Sequence, residues 1–318
     1  MSKTILITGA SSGFGEMTAY ALADAGFTVF ASMRDTAGRS APKVAQALDY
    51  SRENRVDLRS VELDVTNQNS VDHAIAEIIR QVGCIDVLIH NAGHMVLAPA
   101  EAFTPSQFAQ QYDVNVVGAQ RVNRAALPHM RRTRSGLLIW VSSTSARGGT
   151  PPYLGPYFAA KAAMESLAIS YAGELSLWGI ETTVLAPGVF TTGTNHFLHS
   201  GHPQDSAVVV EYATGPTQDL VALVEKGHER VQPDSIDPYE VARAIVDIVN
   251  LPHERRPLHV TVDPADMGHE VMAMMGDRIR SEVFRRMGLQ DLLTPRRPAQ
   301  ETSVSVKHEE ASWRQSAR

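Results

Sequence analysis

The stretch "TILITGASSGFG", residues 4–15, decides the fold. A β-rich run enters a turn that holds three glycines, and the alanine-rich segment 15–25 that follows predicts a helix. Glycines permit a tight turn and a close backbone approach, and the N-terminus of the next helix favours a phosphate. We therefore expect a strand, a phosphate-binding turn and a helix, with the spacing T-G-x-x-x-G-x-G.

The same alternation of strand-like and helical segments continues to about residue 190. Further strands are predicted at "FTVFASM" (27–33), "VELDV" (61–65), "DVLIHNAG" (86–93), "GLLIWVSS" (136–143), "IETTVLAPG" (180–188) and "PLHVTVD" (257–263), and helices at 70–82, 106–132 and 156–175. Such alternation implies right-handed βαβ units and a parallel sheet covered on both faces. We predict an α/β fold, a doubly wound parallel sheet in a single domain over residues 1–293.

Three regions depart from this rhythm. Residues 36–58 are long and polar for a connection, which predicts a surface insertion containing a helix. Residues 191–237 mix Gly, Pro and His with a short helical pattern, as expected of a lid over a site. Residues 294–318 are polar and rich in Pro and Arg, which predicts a mobile tail.

Composition limits the class of protein. The 318 residues are 43% hydrophobic and 20% charged, with a formal net charge of −6 and no long basic run, so a nucleic-acid surface is not expected. The sequence holds no apolar run of about 18 residues and no signal-peptide pattern, and we expect a cytoplasmic protein without a membrane span. The single cysteine, Cys84, can form no internal disulfide, and we assign it no chemistry.

The stretch "GPYFAAKAA", residues 155–163, places Tyr157 and Lys161 four residues apart. On a helix the two side chains share one face, which suits proton transfer by a phenol beside an ammonium. A solvated surface pair is the alternative, and the rest of the chain decides between them.

Seven motifs in order carry a resemblance to a known family. They are "TGASSGFG" (8–15), "LDV" (63–65), "NAG" (91–93), "NVVG" (115–118), "VSS" (141–143), "YFAAK" (157–161) and "PGVFTT" (187–192). The chain resembles the short-chain dehydrogenase/reductase (SDR) family, in the branch with the TGxxxGxG and YxxxK motifs.

The resemblance implies catalytic roles for four residues. Tyr157 would be the acid or base, and Lys161 would lower the pKa of its phenol and bind the nicotinamide ribose. Ser143 would hold the substrate oxygen, although Thr144 has the more usual spacing of thirteen residues from the tyrosine. Asn115 would bend a helix and hold a water near the lysine, or else bond only to backbone.

The resemblance also implies a dinucleotide site. Its expected contacts are Gly9, Ser11, Ser12, Gly13, Phe14, Gly15, Arg34, Asp64, Val65, Asn91, Ala92, Gly93, Tyr157, Lys161, Pro187, Gly188, Phe190 and Thr192. Members that favour NAD usually end the second strand with an aspartate, whose place Met33 takes here. Arg34 follows and suits a 2′-phosphate, while Asp35 could partly neutralise it. We therefore expect NADP(H), with NAD(H) as the alternative.

The function expected from these residues is interconversion of a ketone or aldehyde with its alcohol. An SDR-type isomerase or epimerase and a redox-inactive dinucleotide sensor are the alternatives. His94, Tyr153, Phe190 and Phe197 are candidate walls of a pocket for a medium or large, partly apolar substrate. His196, His199 and His202 recur every three residues without acidic or cysteine neighbours, and we predict no metal site. The resemblance implies a homodimer or homotetramer built on helices 106–132 and 157–175.

Overall fold

The computed structural model describes residues 2–190, 193–194, 200–233 and 236–296. The predicted cofactor contact Thr192, the lid residues His196, Phe197 and His199, and the predicted tail beyond residue 296 lie outside these ranges.

Within the described residues, seven parallel strands form one sheet in the order β3-β2-β1-β4-β5-β6-β7. They are β1 Thr4–Ile7, β2 Thr28–Met33, β3 Leu58–Glu62, β4 Val87–His90, β5 Gly136–Val141, β6 Ile180–Pro187 and β7 His259–Val262. The chain places β2 and β3 on one side of β1 and then places β4, β5, β6 and β7 on the other side. The order of strands therefore reverses between β1 and β4. The predicted doubly wound parallel sheet is confirmed.

The helices cover both faces of this sheet. They are α1 Gly13–Asp24, α2 Ala41–Asn54, α3 Gln68–Val82, α4 Pro105–Tyr112, α5 Gly118–Thr133, α6 Gly155–Glu174, α7 Ser206–Thr214, α8 Leu220–Val231, α9 Tyr239–Asn250 and α10 His269–Arg286. Alternate strand residues belong to two separate cores: Ile5 and Ile7 pack with α1 and α9, and Leu6 packs with α3 and α5. Burial on both faces explains why the central strands β1, β4 and β5 are apolar almost throughout.

Two predicted boundaries were wrong. The third strand spans Leu58–Glu62 rather than 61–65, because the chain turns at Asp64, whose carboxylate accepts hydrogen bonds from the backbone and hydroxyl of Thr66. The predicted helix 106–132 is two helices joined by a π-helical turn, Asp113–Val117. Within the predicted insertion 36–58, α2 is the expected helix.

Side chains tie the end of β1 to the end of β4. Asn91 Nδ2 donates to the carbonyl oxygens of Thr8 and Gly9, each at 2.9 Å. The Thr8 hydroxyl in turn accepts from the backbone N–H groups of Asn91 and Ala92, each at 3.0 Å. The first glycine-rich turn and the "NAG" segment therefore form one unit, at the point where sheets of this kind bind ligands.

Gly15 is the glycine on which this unit depends most directly. A Cβ at residue 15 would overlap Asn91 Nδ2 and would lie 2.5 Å from the Gly9 carbonyl oxygen. We predict that Gly15→Ala lowers the free energy of unfolding by about 1–3 kcal/mol, as overpacking does in other rigid sites. The matched control is Gly227→Ala, in the middle of α8, where no atom lies within 4 Å of an added Cβ. Equal unfolding free energies for the two variants in urea titrations would contradict the prediction.

Candidate active site

Four predicted catalytic residues converge at the carboxyl ends of β4 and β5. Tyr157 and Lys161 lie on α6, Ser143 follows β5, and Asn115 lies in the π-helical turn before α5. Tyr157, Lys161 and Ser143 line one cavity. Asn115 and Lys161 approach each other across Gly93, since a Cβ added there would lie 3.1 Å from Asn115 Oδ1 and 3.5 Å from Lys161 Nζ.

The Tyr157 phenol is protonated at neutral pH. Burial raises the pKa of Tyr157 to about 12, and a hydrogen bond with the Ser143 side chain opposes the rise. The Ser143 hydroxyl also accepts a hydrogen bond from the Ser145 hydroxyl at 2.9 Å. Of the two candidates near this position, Ser143 is thus the one that interacts with the phenol.

Lys161 is buried on the same face of α6. Its Nζ donates to the carbonyl oxygen of Val141 at 2.8 Å and lies 5.9 Å from the centroid of the Tyr157 ring. Burial lowers the pKa of Lys161 to about 8, although the charge of Glu165 opposes this effect. The sequence led us to expect a phenol pKa lowered by Lys161; here burial dominates, and the phenol pKa is raised.

Asn115 occupies a break in the helical hydrogen-bond pattern. Its Nδ2 donates to the carbonyl oxygens of Gln111, at 3.0 Å, and His94, at 3.1 Å, while its Oδ1 accepts from the His94 backbone N–H. A π-helical turn widens the helix, and such turns are frequent at functional sites. Asn115 thereby links the helix pair α4–α5 to the segment that follows β4.

The structure contains a buried ion pair behind the site, and the sequence did not predict it. Arg147 Nε and Glu165 Oε1 lie 2.8 Å apart, and their side chains are 3% and 10% exposed. Glu165 also accepts from the Ser142 hydroxyl at 2.7 Å, and Arg147 donates to the Thr261 hydroxyl at 3.0 Å. The only sequence signal was helical spacing, because Glu165 follows Lys161 by four residues. Nothing in the sequence marked Arg147 as its partner.

The first glycine-rich turn leaves space for an anion. Gly13 has a φ of +56°, and apart from its chain neighbours and its own helix backbone no atom of the described residues lies within 4 Å of a Cβ built on it. Ser12, the N-cap of α1, makes no side-chain capping bond within the described chain, and the positive end of the helix dipole lies at this turn. Ser11 and Ser12 are half-buried beside it. These features fit a dinucleotide phosphate.

Gly9 and Phe14 shape the rest of this turn. Gly9 has a φ of +67°, and a Cβ there would lie 2.8 Å from Ala92 Cα. The Phe14 ring packs edge-on against Phe190, with the ring centroids 5.3 Å apart. The turn after β1 therefore contacts the segments after β4 and β6 directly.

Residues at the end of β2 bear on the choice of cofactor. Arg34 is exposed at the end of β2, and its charge adds to burial in lowering the pKa of His94. The Asp35 carboxylate accepts from the backbone N–H of Arg39 at 2.8 Å and is thus committed to its own turn. Met33, in the place of the aspartate, is buried in the core that holds α1.

Of the remaining predicted contacts, Asp64 and Val65 do not line the cavity, whereas those after β4 and β6 do. Asp64 and Val65 follow β3, and Arg121 donates to the Val65 carbonyl oxygen at 3.1 Å. Pro187 ends β6, and Gly188 donates to the Val262 carbonyl oxygen at 2.8 Å. Both Pro187 and Gly188 line the cavity, together with Asn91, Gly93, Phe14 and Phe190.

The cavity has a volume of about 700 Å³ and apolar walls. One wall comes from the segments before and within α6. Another comes from α8, one of the helices in the predicted lid region 191–237. The apolar lining includes Met95, Leu154, Phe158, Leu220, Leu223 and Val224. His94 lines it as predicted, whereas Tyr153 is outside the lining and packs against Tyr212.

Within the described residues we found no cluster of three or more His, Cys, Asp or Glu side chains that could hold a metal ion. None of the described helices is long and apolar enough to cross a membrane.

This chain belongs to the short-chain dehydrogenase family of oxidoreductases. The family model described as "short chain dehydrogenase" matches residues 3–202, which is more than half of the chain. The family predicted from the seven motifs is confirmed.

Three relatives show the range of activities named within the family. The chain is 36% identical to a 3-ketodihydrosphingosine reductase of Bacteroides thetaiotaomicron over 60% of its own length and 65% of the relative. It is 32% identical to estradiol 17-beta-dehydrogenase 1 of Rattus norvegicus over 79% of the chain and 71% of the relative. It is 30% identical to an uncharacterized oxidoreductase, YusZ, of Bacillus subtilis, over 79% and 86% of the two chains.

Solved structures of the same class resemble the whole fold. A short-chain dehydrogenase from Streptomyces avermitilis superposes with a TM-score of 0.66 at 26% identity, covering 91% of this chain and 97% of that one. A gluconate 5-dehydrogenase from Burkholderia cenocepacia, solved with NADP and tartrate, gives 0.64 at 25% identity, covering 83% and 95%.

The buried position of Lys161 predicts a specific pH dependence of stability. Its pKa falls from 10.5 to about 8 on folding, so between these pH values the unfolded chain holds a proton that the folded chain has lost. The free energy of unfolding should therefore rise with pH across this window, by about 3 kcal/mol in total. Lys161→Met should lack this rise, and the exposed Lys226→Met is the control for loss of one positive charge. Denaturant titrations from pH 7 to 10.5 measure the effect; parallel curves for wild type and Lys161→Met would contradict it.

Proposed function

We propose that this protein reduces a ketone or aldehyde to the alcohol with NADPH, and catalyses the reverse oxidation with NADP⁺. The observation that carries the proposal is the convergence of Tyr157, Ser143 and Lys161 on one apolar cavity, beside a turn with open space for a phosphate. A bound nicotinamide supplies the hydride donor or acceptor. The residues of the chain bind and orient both partners and move one proton.

Tyr157 is the proton donor in the proposed reduction. With a pKa raised to about 12, its phenol keeps its proton at neutral pH, the form that can protonate a carbonyl oxygen. Ser143, which interacts with the phenol, would donate a second hydrogen bond to the same oxygen and fix it near the Tyr157 hydroxyl. The reduction uses this protonated phenol, and the reverse oxidation uses the phenolate.

Lys161 and Asn115 support the proton donor. When it is protonated, the Lys161 ammonium lies close enough to the ring to stabilise negative charge that develops on the phenol oxygen. Asn115 holds the segment 93–94 against α4 and so fixes the position of that segment beside Lys161. We also propose that Lys161 contacts the nicotinamide ribose, as the family resemblance implies.

We propose a bulky, mostly apolar carbonyl compound as the substrate. The cavity walls that α6 and α8 contribute are aliphatic and aromatic, and about 700 Å³ is ample for a nicotinamide and part of a second molecule. Two of the relatives named above, a ketodihydrosphingosine reductase and an estradiol dehydrogenase, bear the names of large apolar compounds. His269, at the start of α10, and Thr150 also line the cavity and are polar groups that a second oxygen on the substrate could meet.

NADP(H) is the proposed cofactor because of the charges at the end of β2. Arg34 is exposed directly after β2, and Asp35 is held by its own turn. A charge-assisted hydrogen bond to the 2′-phosphate contributes roughly 1.5–3 kcal/mol, or about ten- to a hundred-fold in affinity.

Replacement of Tyr157 tests the chemical step. We predict that Tyr157→Phe lowers turnover by roughly a hundred- to ten-thousand-fold, because the ring still fills its space but no longer donates a proton. The matched control is Tyr153→Phe, a buried tyrosine of the same region that lies outside the cavity lining, and it should keep the wild-type rate. Rates are followed at the reduced-nicotinamide absorbance band with a panel of apolar ketones and aldehydes, and nucleotide binding is measured separately.

Either of two outcomes would contradict this assignment. A Tyr157→Phe variant that retained more than about a tenth of the rate would remove Tyr157 from the mechanism. A wild-type protein that bound the nucleotide but turned over no compound would favour the redox-inactive sensor.

The cofactor preference is tested at Arg34. We predict that Arg34→Ala weakens NADPH binding about ten- to a hundred-fold while changing NADH binding little, because only NADPH carries the 2′-phosphate. Arg39→Ala, at an exposed arginine of the same loop, is the control for loss of charge. The substitution Met33→Asp is a poorer test, since the Met33 side chain is buried in the core. Dissociation constants are compared at one stated salt concentration; equal or better NADH binding by the wild type would refute the preference.

A further inference from the structure

The cavity wall contains a buried imidazole that the proposed proton transfer does not use. His269 is the first residue of α10, lines the cavity and is 8% exposed. No hydrogen bond or ion pair joins its ring to another described residue. The buried His90, by contrast, has Asn123 as a hydrogen-bond partner at 2.8 Å, as is usual for a buried polar side chain. The hydrogen-bonding groups of His269 are therefore free for a molecule in the cavity.

The ring nitrogens of His269 remain accessible from the cavity. Among the described residues, none of the fully enclosed polar atoms that lack a partner belongs to His269. A Cβ added at Gly149, which also lines the cavity, would lie 3.3 Å from Cε1 and 4.0 Å from Nε2 of the ring. Because residue 149 is a glycine, no side chain covers that edge of the imidazole. Thr150 lines the cavity too, but it is exposed, so water can satisfy its hydroxyl.

His269 stands apart from the groups that hold the reacting carbonyl. It follows the edge strand β7, which is two strands away from β5, or about 10 Å across the sheet. It makes no hydrogen bond to Ser143 or Tyr157 within the described chain. The start of the loop between them is fixed, because α10 contacts the short turn Thr144–Arg147. The imidazole can therefore meet a part of the substrate other than the carbonyl that is reduced.

We propose that His269 is a specificity-determining residue that forms a hydrogen bond with a second, uncharged oxygen of the substrate. This inference rests on the proposed function, and it narrows the substrate to a bulky apolar ketone or aldehyde that also carries a hydroxyl or carbonyl group away from the reacting carbon. A neutral imidazole has one donor and one acceptor nitrogen, so it pairs with a hydroxyl in either sense and with a carbonyl through its N–H.

The charges of the cavity favour an uncharged oxygen over a carboxylate or phosphate. Among the described residues that line the cavity, Lys161 is the only lysine or arginine, and it lies beside Tyr157. An anionic group near His269 would have no lysine or arginine partner there, and an unpaired charge is costly to bury among apolar side chains. A substrate that lacks the second oxygen would in turn leave the buried imidazole unpaired, which is how a site built for a hydrogen bond rejects such an analogue.

The experiment compares paired substrates in the wild type and in His269→Phe. One pair is built on a straight-chain methyl ketone and the other on a tetracyclic ketone. Each pair has one member with a hydroxyl group remote from the ketone and one with a methyl group in its place. We expect the wild type to prefer the hydroxylated member of at least one pair by about three- to tenfold in kcat/KM, the effect of one neutral hydrogen bond.

His269→Phe should reduce this preference to about onefold or less, because a phenyl ring fills similar space without a hydrogen-bonding atom. A merely structural defect would lower kcat/KM for both members alike and leave their ratio unchanged. His269→Gln, whose amide donates and accepts, should retain part of the preference, and it replaces the phenylalanine variant if that variant does not fold. The control for loss of an imidazole is His73→Phe, at an exposed position of α3 outside the cavity lining, which should keep the wild-type ratio.

Binding measurements separate this inference from the proposed function. Dissociation constants of both members are measured by calorimetry, with and without NADP⁺, so that no turnover is needed. A preference for the hydroxylated member that is lost in His269→Phe would support the site, and if no ketone were reduced, only the proposed function would be refuted. The inference is overturned if the wild type binds neither member of any pair, if it binds both members of every pair equally, or if His269→Phe keeps the preference. Tighter binding of the corresponding carboxylate than of the hydroxyl compound would also overturn it.

Discussion

The clamp between Thr8 and Asn91 is the contact on which the rest of the site depends. It joins the exits of β1 and β4, the neighbouring strands between which the sheet reverses its order of growth. In a parallel sheet, the loops that follow the strands all lie at the carboxyl end of the sheet. This alone does not fix the position of two such loops relative to each other. Here one carboxamide and one hydroxyl do so with hydrogen bonds of 2.9–3.0 Å, and the glycines at 9 and 15 are needed because any side chain would enter that space. The cleft opens directly above this unit.

A second set of contacts holds α6 to the sheet. Glu165 receives hydrogen bonds from Ser142 and Arg147, and Arg147 reaches Thr261 on the edge strand β7. A buried ion pair is weak evidence for added stability, because desolvation of both charges offsets their attraction. Its effect here is positional: Ser142 precedes Ser143, and Glu165 lies one turn beyond Lys161. The contacts thereby fix the end of β5 relative to α6, and with them the positions of Ser143 and Tyr157, which act on the same substrate oxygen in the proposed reaction.

The environment of Tyr157 shows why the pKa of a side chain in a motif cannot be deduced from the motif without the folded structure. The YxxxK spacing places a phenol and an amine on one helical face, and a nearby positive charge lowers a phenol pKa. In the folded chain Lys161 is buried and Tyr157 is partly buried, so desolvation acts on each in the direction of its neutral form. The pKa of the phenol rises and that of the lysine falls. The pair therefore starts from a neutral phenol, which suits proton donation to a carbonyl.

The sequence by itself determined the family, the parallel sheet and the place of the cleft, because alternating apolar runs and glycine-rich turns are local signals that survive without knowledge of packing. It also named Tyr157, Lys161, Ser143 and Asn115, whose motifs are short and ordered along the chain. Boundaries were less well determined: an Asp64 turn ended β3 early, and a π-helical turn at Asn115 divided a helix that looked continuous. Only the tertiary structure paired Arg147 with Glu165, turned Tyr153 away from the cavity and left one face of α10 uncovered. Each of these depends on which elements meet in space, and contacts between residues far apart in sequence leave no local pattern from which they could be predicted.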